Sequence, residues 1–163
     1  LTRELTTATG LPAYEISNHA RHGEESRHNL AYWRYRDYAG IGPGAHGRRG
    51  GSATTRHKKP ENWLGAVERN GHGIQEERAL AAAEQASEAL LMGLRLADGI
   101  DLSALSRRFG IPREELIDKR KLDLHRELGF AWSEGDRLGV TDQGMPLLDA
   151  LLADLVPAAL VAA

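Results

Sequence analysis

Apolar positions recur at helical spacing from Leu80 to Leu96, where Ala86, Leu90, Leu91 and Leu94 fall on one side of a segment rich in alanine. Two further helices are predicted over residues 101–109 and 112–128, with Gly110 between them and Gly129 after the second. Residues 130–132 and 138–140 flank the turn Glu134-Gly135-Asp136 and predict a hairpin. Thr141 caps a last helix carrying Leu147, Leu148, Leu151, Leu152 and Leu155. Helix, helix, hairpin, helix is a winged-helix-like order, so residues 79–163 are expected to form a mostly helical unit. Before it, residues 1–9 predict a helix stopped by Gly10, and the alternation of Tyr14 and Ile16 predicts a short strand over 13–17. Residues 24–36 predict a helix with Glu24 and Glu25 early and Arg34 and Arg36 late. Residues 38–45 predict a buried extended segment, 48–59 a strand or loop turning at Gly50-Gly51, and Pro60 opens a helix to Asn70. Residues 71–78 are expected as a linker, and the whole chain reads as α+β.

Composition narrows the chemistry. The chain has 163 residues, 41% of them hydrophobic and 27% charged, as in ordinary globular domains. No apolar run approaches the roughly 20 residues needed to span a bilayer, and no apolar core follows Arg3 and Glu4 to make a signal peptide. Cysteine is absent, which excludes disulfides, thiolate zinc sites and iron–sulfur ligation by these residues. The start at Leu1, inside a helical pattern, is read as that of a truncated chain. Charge is uneven: residues 1–60 hold ten Lys/Arg against five Asp/Glu, and 61–163 hold eleven against eighteen. Five of the seven histidines lie in the basic part, which suits an anionic ligand, or else the two parts neutralise one another.

The densest chemistry lies in Arg27-His28-Asn29-Leu30-Ala31-Tyr32-Trp33, an imidazole, an amide and two large aromatics within about two helical turns. Core packing with a surface histidine is the simpler reading of this spacing, and a site for a planar ligand is the sharper one. Gly42, Gly44 and Gly47 satisfy G-x-G-x-x-G, but Arg48-Arg49-Gly50-Gly51-Ser52 is poor helix material, so a dinucleotide site is not supported. These glycines either line a cofactor, make a tight strand exit or form a structural bend. His19, His22 and His28 follow no familiar zinc spacing. Residues 113–127 hold five Lys/Arg and five acids, too balanced for a duplex-reading helix, so no nucleic-acid partner is expected.

The runs Tyr14-Glu15-Ile16-Ser17-Asn18, Ser26-Arg27-His28-Asn29-Leu30-Ala31-Tyr32-Trp33 and Gly40-Ile41-Gly42-Pro43-Gly44-Ala45-His46-Gly47 together resemble one family. It is the radical S-adenosylmethionine haem chaperone family, often labelled oxygen-independent coproporphyrinogen III oxidase-like. Met92-Gly93-Leu94-Arg95-Leu96, Arg108-Phe109-Gly110 and Leu148-Asp149 resemble its C-terminal domain. The resemblance implies the last strand and helix elements of a partial (β/α) barrel over residues 1–70, then the helical domain. It implies haem, S-adenosylmethionine and a 4Fe-4S cluster as cofactors of the intact protein. The family's C-x-x-x-C-x-x-C cluster motif has no counterpart here, and His19 stands where relatives usually carry an aromatic. By resemblance to H-N-x-x-Y-W, His28, Asn29, Tyr32 and Trp33 are candidate haem-binding residues, with His28 a candidate iron ligand. Asn29 would bond a propionate or orient His28, Arg27 and Arg34 would attract propionates, and Gly42, Gly44, Ala45 and His46 would line the S-adenosylmethionine site. The expected activity is haem binding and delivery to an acceptor protein, with coproporphyrinogen III oxidation as the alternative. A cytoplasmic location and a homodimer are also expected.

Overall fold

The computed structural model describes residues 2–161. Along the chain run α1 (Thr2–Ala8), α2 (Arg27–Trp33), β1 (His46–Arg49), β2 (Ser52–Arg56), α3 (Pro60–Asn70) and β3 (Ile74–Ala79). Then follow α4 (Ala82–Gly93), β4 (Ile100–Asp101), α5 (Leu102–Phe109), α6 (Arg113–Leu116), α7 (Lys119–Glu127), β5 (Ala131–Glu134), β6 (Arg137–Val140), α8 (Leu148–Leu155) and α9 (Ala158–Val161). These elements form two compact units, Leu1–Tyr35 with Ala82–Ala163, and Arg36–Ala81.

In the larger unit one apolar core joins Leu90 and Leu94 at the end of α4 to Leu116, Leu138, Leu148 and Leu155, each no more than 2% exposed. Burying each such side chain favours folding by about 1.5–3 kcal/mol, so packing rather than propensity holds these short helices. The sheet order is β4-β6-β5, antiparallel throughout. The predicted hairpin forms with Glu134 opposite Arg137, and Gly135, at φ 58°, supplies the left-handed residue of its two-residue loop. Thr141 does cap the chain after β6: its Oγ1 accepts from the Gly144 amide, and a 3₁₀ turn at Met145–Leu147 leads into α8.

The helix expected over 112–128 is broken. Ile117 adopts extended backbone (φ −140°, ψ 136°) to bury its side chain, and Asp118 restarts the helix by accepting from the Arg120 and Lys121 amides. The helix expected over 80–96 ends at Gly93, because Leu96 leaves it to bridge Glu15 and the Ala97 amide donates to the Tyr14 carbonyl. That pairing also replaces the strand expected at 13–17, where only the isolated bridges Ala13–His19 and Glu15–Leu96 form. The helix expected over 24–36 is confined to α2: Ser26 caps its start, and Tyr35 turns to φ 54° just beyond its end.

The smaller unit is an antiparallel sheet of order β1-β2-β3 with α3. Pro60 occupies the first turn of α3 and Gly71 closes it in left-handed backbone at φ 76°, as predicted. Residues 74–78, expected in a linker, instead belong to β3, which pairs along β2 from Ser52–Ala79 to Arg56–Ile74. Its sequence, Ile-Gln-Glu-Glu-Arg-Ala, lacks the apolar alternation that betrays a half-buried strand, since all but Ile74 are exposed. Of residues 38–45, expected as one extended segment, only Tyr38 pairs, in an isolated antiparallel bridge with Arg48, and a bend and turn at 42–44 precede β1 at His46. Every strand pair among the described residues is antiparallel, so the parallel pairing of a (β/α) barrel does not appear.

Candidate functional site at helix α2

The Ser26 hydroxyl accepts from the Asn29 amide at 3.3 Å and so sets the start of α2. From that start, 3.6 residues per turn place His28, Asn29, Tyr32 and Trp33 within about 140° of arc. All four line one open cleft of about 270 Å³ together with Asn18. This is below the roughly 300 Å³ at which ligand pockets begin to enclose a small molecule. The cleft therefore offers a face to a flat ligand and does not engulf it.

Each side chain has a distinct setting. His28 is exposed, and among the described residues nothing hydrogen-bonds its ring. Asn29 donates through Nδ2 to Tyr14 Oη at 3.2 Å, which fixes its amide from the preceding loop. Tyr32 and Trp33 meet edge to face, ring centroids 5.2 Å apart and planes at 71°. The Arg95 guanidinium lies 5.8 Å from the Trp33 ring centroid, donates to the Leu91 carbonyl and pairs with Asp149 at 3.2 Å. Just before α2, the Glu25 carboxyl is held below its usual range, first by its own backbone amide and then by that of Gly23.

The two arginines expected to draw propionates differ. Arg34 already pairs with Asp98 at 3.3 Å, whereas Arg27 is exposed. One lining residue, Asn18, and two residues that contact the lining, Tyr14 and Arg95, carried no site role in the sequence reading. Each lies inside a motif quoted for the resemblance, so a signal existed, but they meet α2 only through the fold.

The other predicted group, Gly42, Gly44, Ala45 and His46, lies in the smaller unit. Gly42 and Gly44 take φ 97° and 69°, the Gly44 amide donates to the His57 carbonyl, and the Ala45 amide to the Gly42 carbonyl. The run thus forms a tight turn whose amides are partly consumed within the fold, with the His46 side chain exposed at its exit. No group of three or more histidine, aspartate or glutamate side chains among the described residues is placed to hold a metal ion.

Residues 80–147 match the HemN C-terminal domain family. The chain is 35% identical to mitochondrial radical S-adenosyl methionine domain-containing protein 1 of Mus musculus, over 95% of this chain and 37% of that protein. It is 31% identical to the heme chaperone HemW of Bacillus subtilis, over 84% of this chain and 36% of that one. In fold it is similar to coproporphyrinogen III oxidase (HemN) from Escherichia coli, with a TM-score of 0.67 at 16% identity, covering 93% of this chain and 38% of the other. The chain spans under two fifths of the length of these relatives. It belongs to the radical S-adenosylmethionine haem chaperone and coproporphyrinogen III oxidase-like family, and carries that family's HemN C-terminal domain.

Proposed function

We propose that this chain supplies the haem-contacting face of a radical S-adenosylmethionine protein that binds haem and delivers it to an acceptor protein. The single observation supporting this reading is the cleft that His28, Asn29, Tyr32 and Trp33 line together on α2. These residues fit a haem: the exposed imidazole of His28 could ligate its iron, and the paired aromatics Tyr32 and Trp33 would give the macrocycle apolar contact. Asn29, bonded to Tyr14, stiffens α2 and leaves its remaining capacity for a propionate. Arg27 is better placed than Arg34 to attract that carboxylate, because Asp98 already neutralises Arg34.

A 4Fe-4S cluster would need thiolates, and the chain has no cysteine, so cluster chemistry belongs to residues beyond this sequence in the intact protein. S-adenosylmethionine would approach the turn at Gly42, Gly44, Ala45 and His46, where residues in left-handed backbone carry no side chain to obstruct it. The intact protein is proposed to contain a partial (β/α) barrel ahead of a winged-helix-like domain at residues 79–163. Supporting the latter is the order of α4, β4, α5, α7 and the hairpin, with β4 paired to β6. No helix among the described residues is long and apolar enough to cross a membrane, and a cytoplasmic protein is our reading. Several relatives are named as mitochondrial. A homodimer is retained as a proposal, checked by sedimentation.

Oxidation of coproporphyrinogen III is the second reading, favoured by the likeness in fold to HemN. Haem titration of this chain decides the site. Wild type should give a Soret band typical of histidine ligation. His28→Ala should shift that band and weaken binding about tenfold or more, with an unchanged far-ultraviolet circular dichroism spectrum. Identical spectra and affinity in the variant would remove His28 from the iron.

A further inference from the structure

A second cleft of the larger unit lies far along the sequence from α2, where α6 and α7 face the β5–β6 hairpin. It measures about 390 Å³, inside the range of pockets that hold small molecules. Its apolar lining is aliphatic: Leu102, Ile117, Leu122 and Leu138, each at most 8% exposed as residues. No aromatic side chain lines it, so it offers no flat surface to stack against a ring system, in contrast to the α2 cleft.

Its rim is charged. Arg113, Lys119, Arg126 and Arg137 line it against Glu114, Asp123 and Asp136, and Arg137 is also paired with Asp98 at 3.8 Å. One carboxylate, Asp123, serves two of the cations, Lys119 at 2.7 Å and Arg126 at 3.4 Å. Those two charges hold the Asp123 carboxyl below its usual range, the Lys119 hydrogen bond first. Asp136 is taken by Arg113 at 2.6 Å and by the Ser103 hydroxyl. The α7 side of the rim therefore carries positive charge that its own carboxylate does not balance. An aliphatic trough with unbalanced cations at its mouth matches a molecule with a hydrocarbon body and an anionic head.

We propose that this cleft binds an aliphatic carboxylate of the fatty-acid type, its chain against Leu102, Ile117, Leu122 and Leu138 and its carboxylate at Arg126 and Lys119. The site is independent of the haem reading and uses none of its residues.

Dodecanoate is a suitable probe. Titrated into the full chain below its micelle concentration and followed by amide NMR, it should shift resonances of α7 and the hairpin and leave α2 unmoved. Arg126→Gln should weaken binding roughly five- to tenfold, and the methyl ester should bind more weakly than the acid. Ser133→Leu, which adds bulk at a partly buried cleft position, should abolish binding with a wild-type melting temperature. The proposal is overturned by shifts scattered over the surface, by equal affinity for acid and ester in wild type, or by protoporphyrin IX displacing dodecanoate from this cleft.

Discussion

At the scale of single residues, Tyr35 shows how the fold spends local strain. It is the only non-glycine among the described residues with positive φ, at 54°, and is 1% exposed. Left-handed backbone costs such a residue about 1–2 kcal/mol, and the contacts that offset this come from helices distant in sequence. Its hydroxyl donates to Glu88 at 2.6 Å, its carbonyl accepts from Arg108 at 2.7 Å, and its ring meets Phe109 edge to face. Tyr35→Phe should therefore cost about 1.5 kcal/mol in urea unfolding, while keeping the ring packing and the haem-titration behaviour. A second buried polar residue is His125, whose Nε2 lies 3.1 Å from Asp154 Oδ2. A carboxylate only accepts, so the proton sits on Nε2. Asp154 is held below its usual range, first by that bond and then by Lys121. A carboxyl whose folded pKa is depressed contributes stability above its unfolded pKa and loses it as pH falls through the folded one. The stability gap between wild type and Asp154→Asn should be widest above about pH 4 and close on further acidification. A constant gap across an acid titration would show that the carboxylate charge contributes nothing.

At the scale of elements, α2, α5 and α7 begin where a side chain captures their first free amides. Asp118 does this for α7 and Ser26 for α2. Replacing either by alanine removes a cap worth about 1 kcal/mol, but the consequences should differ. Asp118→Ala should lower global stability by roughly that amount, because α7 buries Leu122 and His125. Ser26→Ala should instead loosen α2, which buries none of its residues fully, and show itself in weaker haem binding with little change in melting temperature. Equal loss of stability in the two variants would contradict this division.

At the scale of the whole molecule, two compact units divide the proposed ligand chemistry, the α2 cleft in one and the glycine turn in the other. Neither contains a thiol. Anaerobic reconstitution of this chain with iron and sulfide should yield no bound cluster and no absorbance near 400 nm, while haem titration still succeeds; 400 nm is about where thiolate-to-iron charge transfer falls. A stable cluster on this chain would refute the assignment of cluster ligation to residues outside it.

Much of the architecture was legible in residue order because its causes are local. Gly71, Gly110, Gly129 and Gly135 stop helices or turn strands through backbone freedom carried in the residue itself, and Pro60 opens α3 through its fixed φ. Helical spacing also brings His28, Asn29, Tyr32 and Trp33 onto one face, but it was the family resemblance that marked them as a site, and the fifth lining residue, Asn18, joins them only through the fold. Tertiary structure decided what depends on a distant partner. Ile117 breaks its helix to reach the core, Leu96 abandons α4 to bridge Glu15, and exposed β3 is a strand only because β2 supplies its hydrogen bonds. Likewise Asp98 claims Arg34, and Tyr14 claims Asn29. Periodicity records which face a segment buries; it carries no term for the backbone and charge partners that only folding brings within reach.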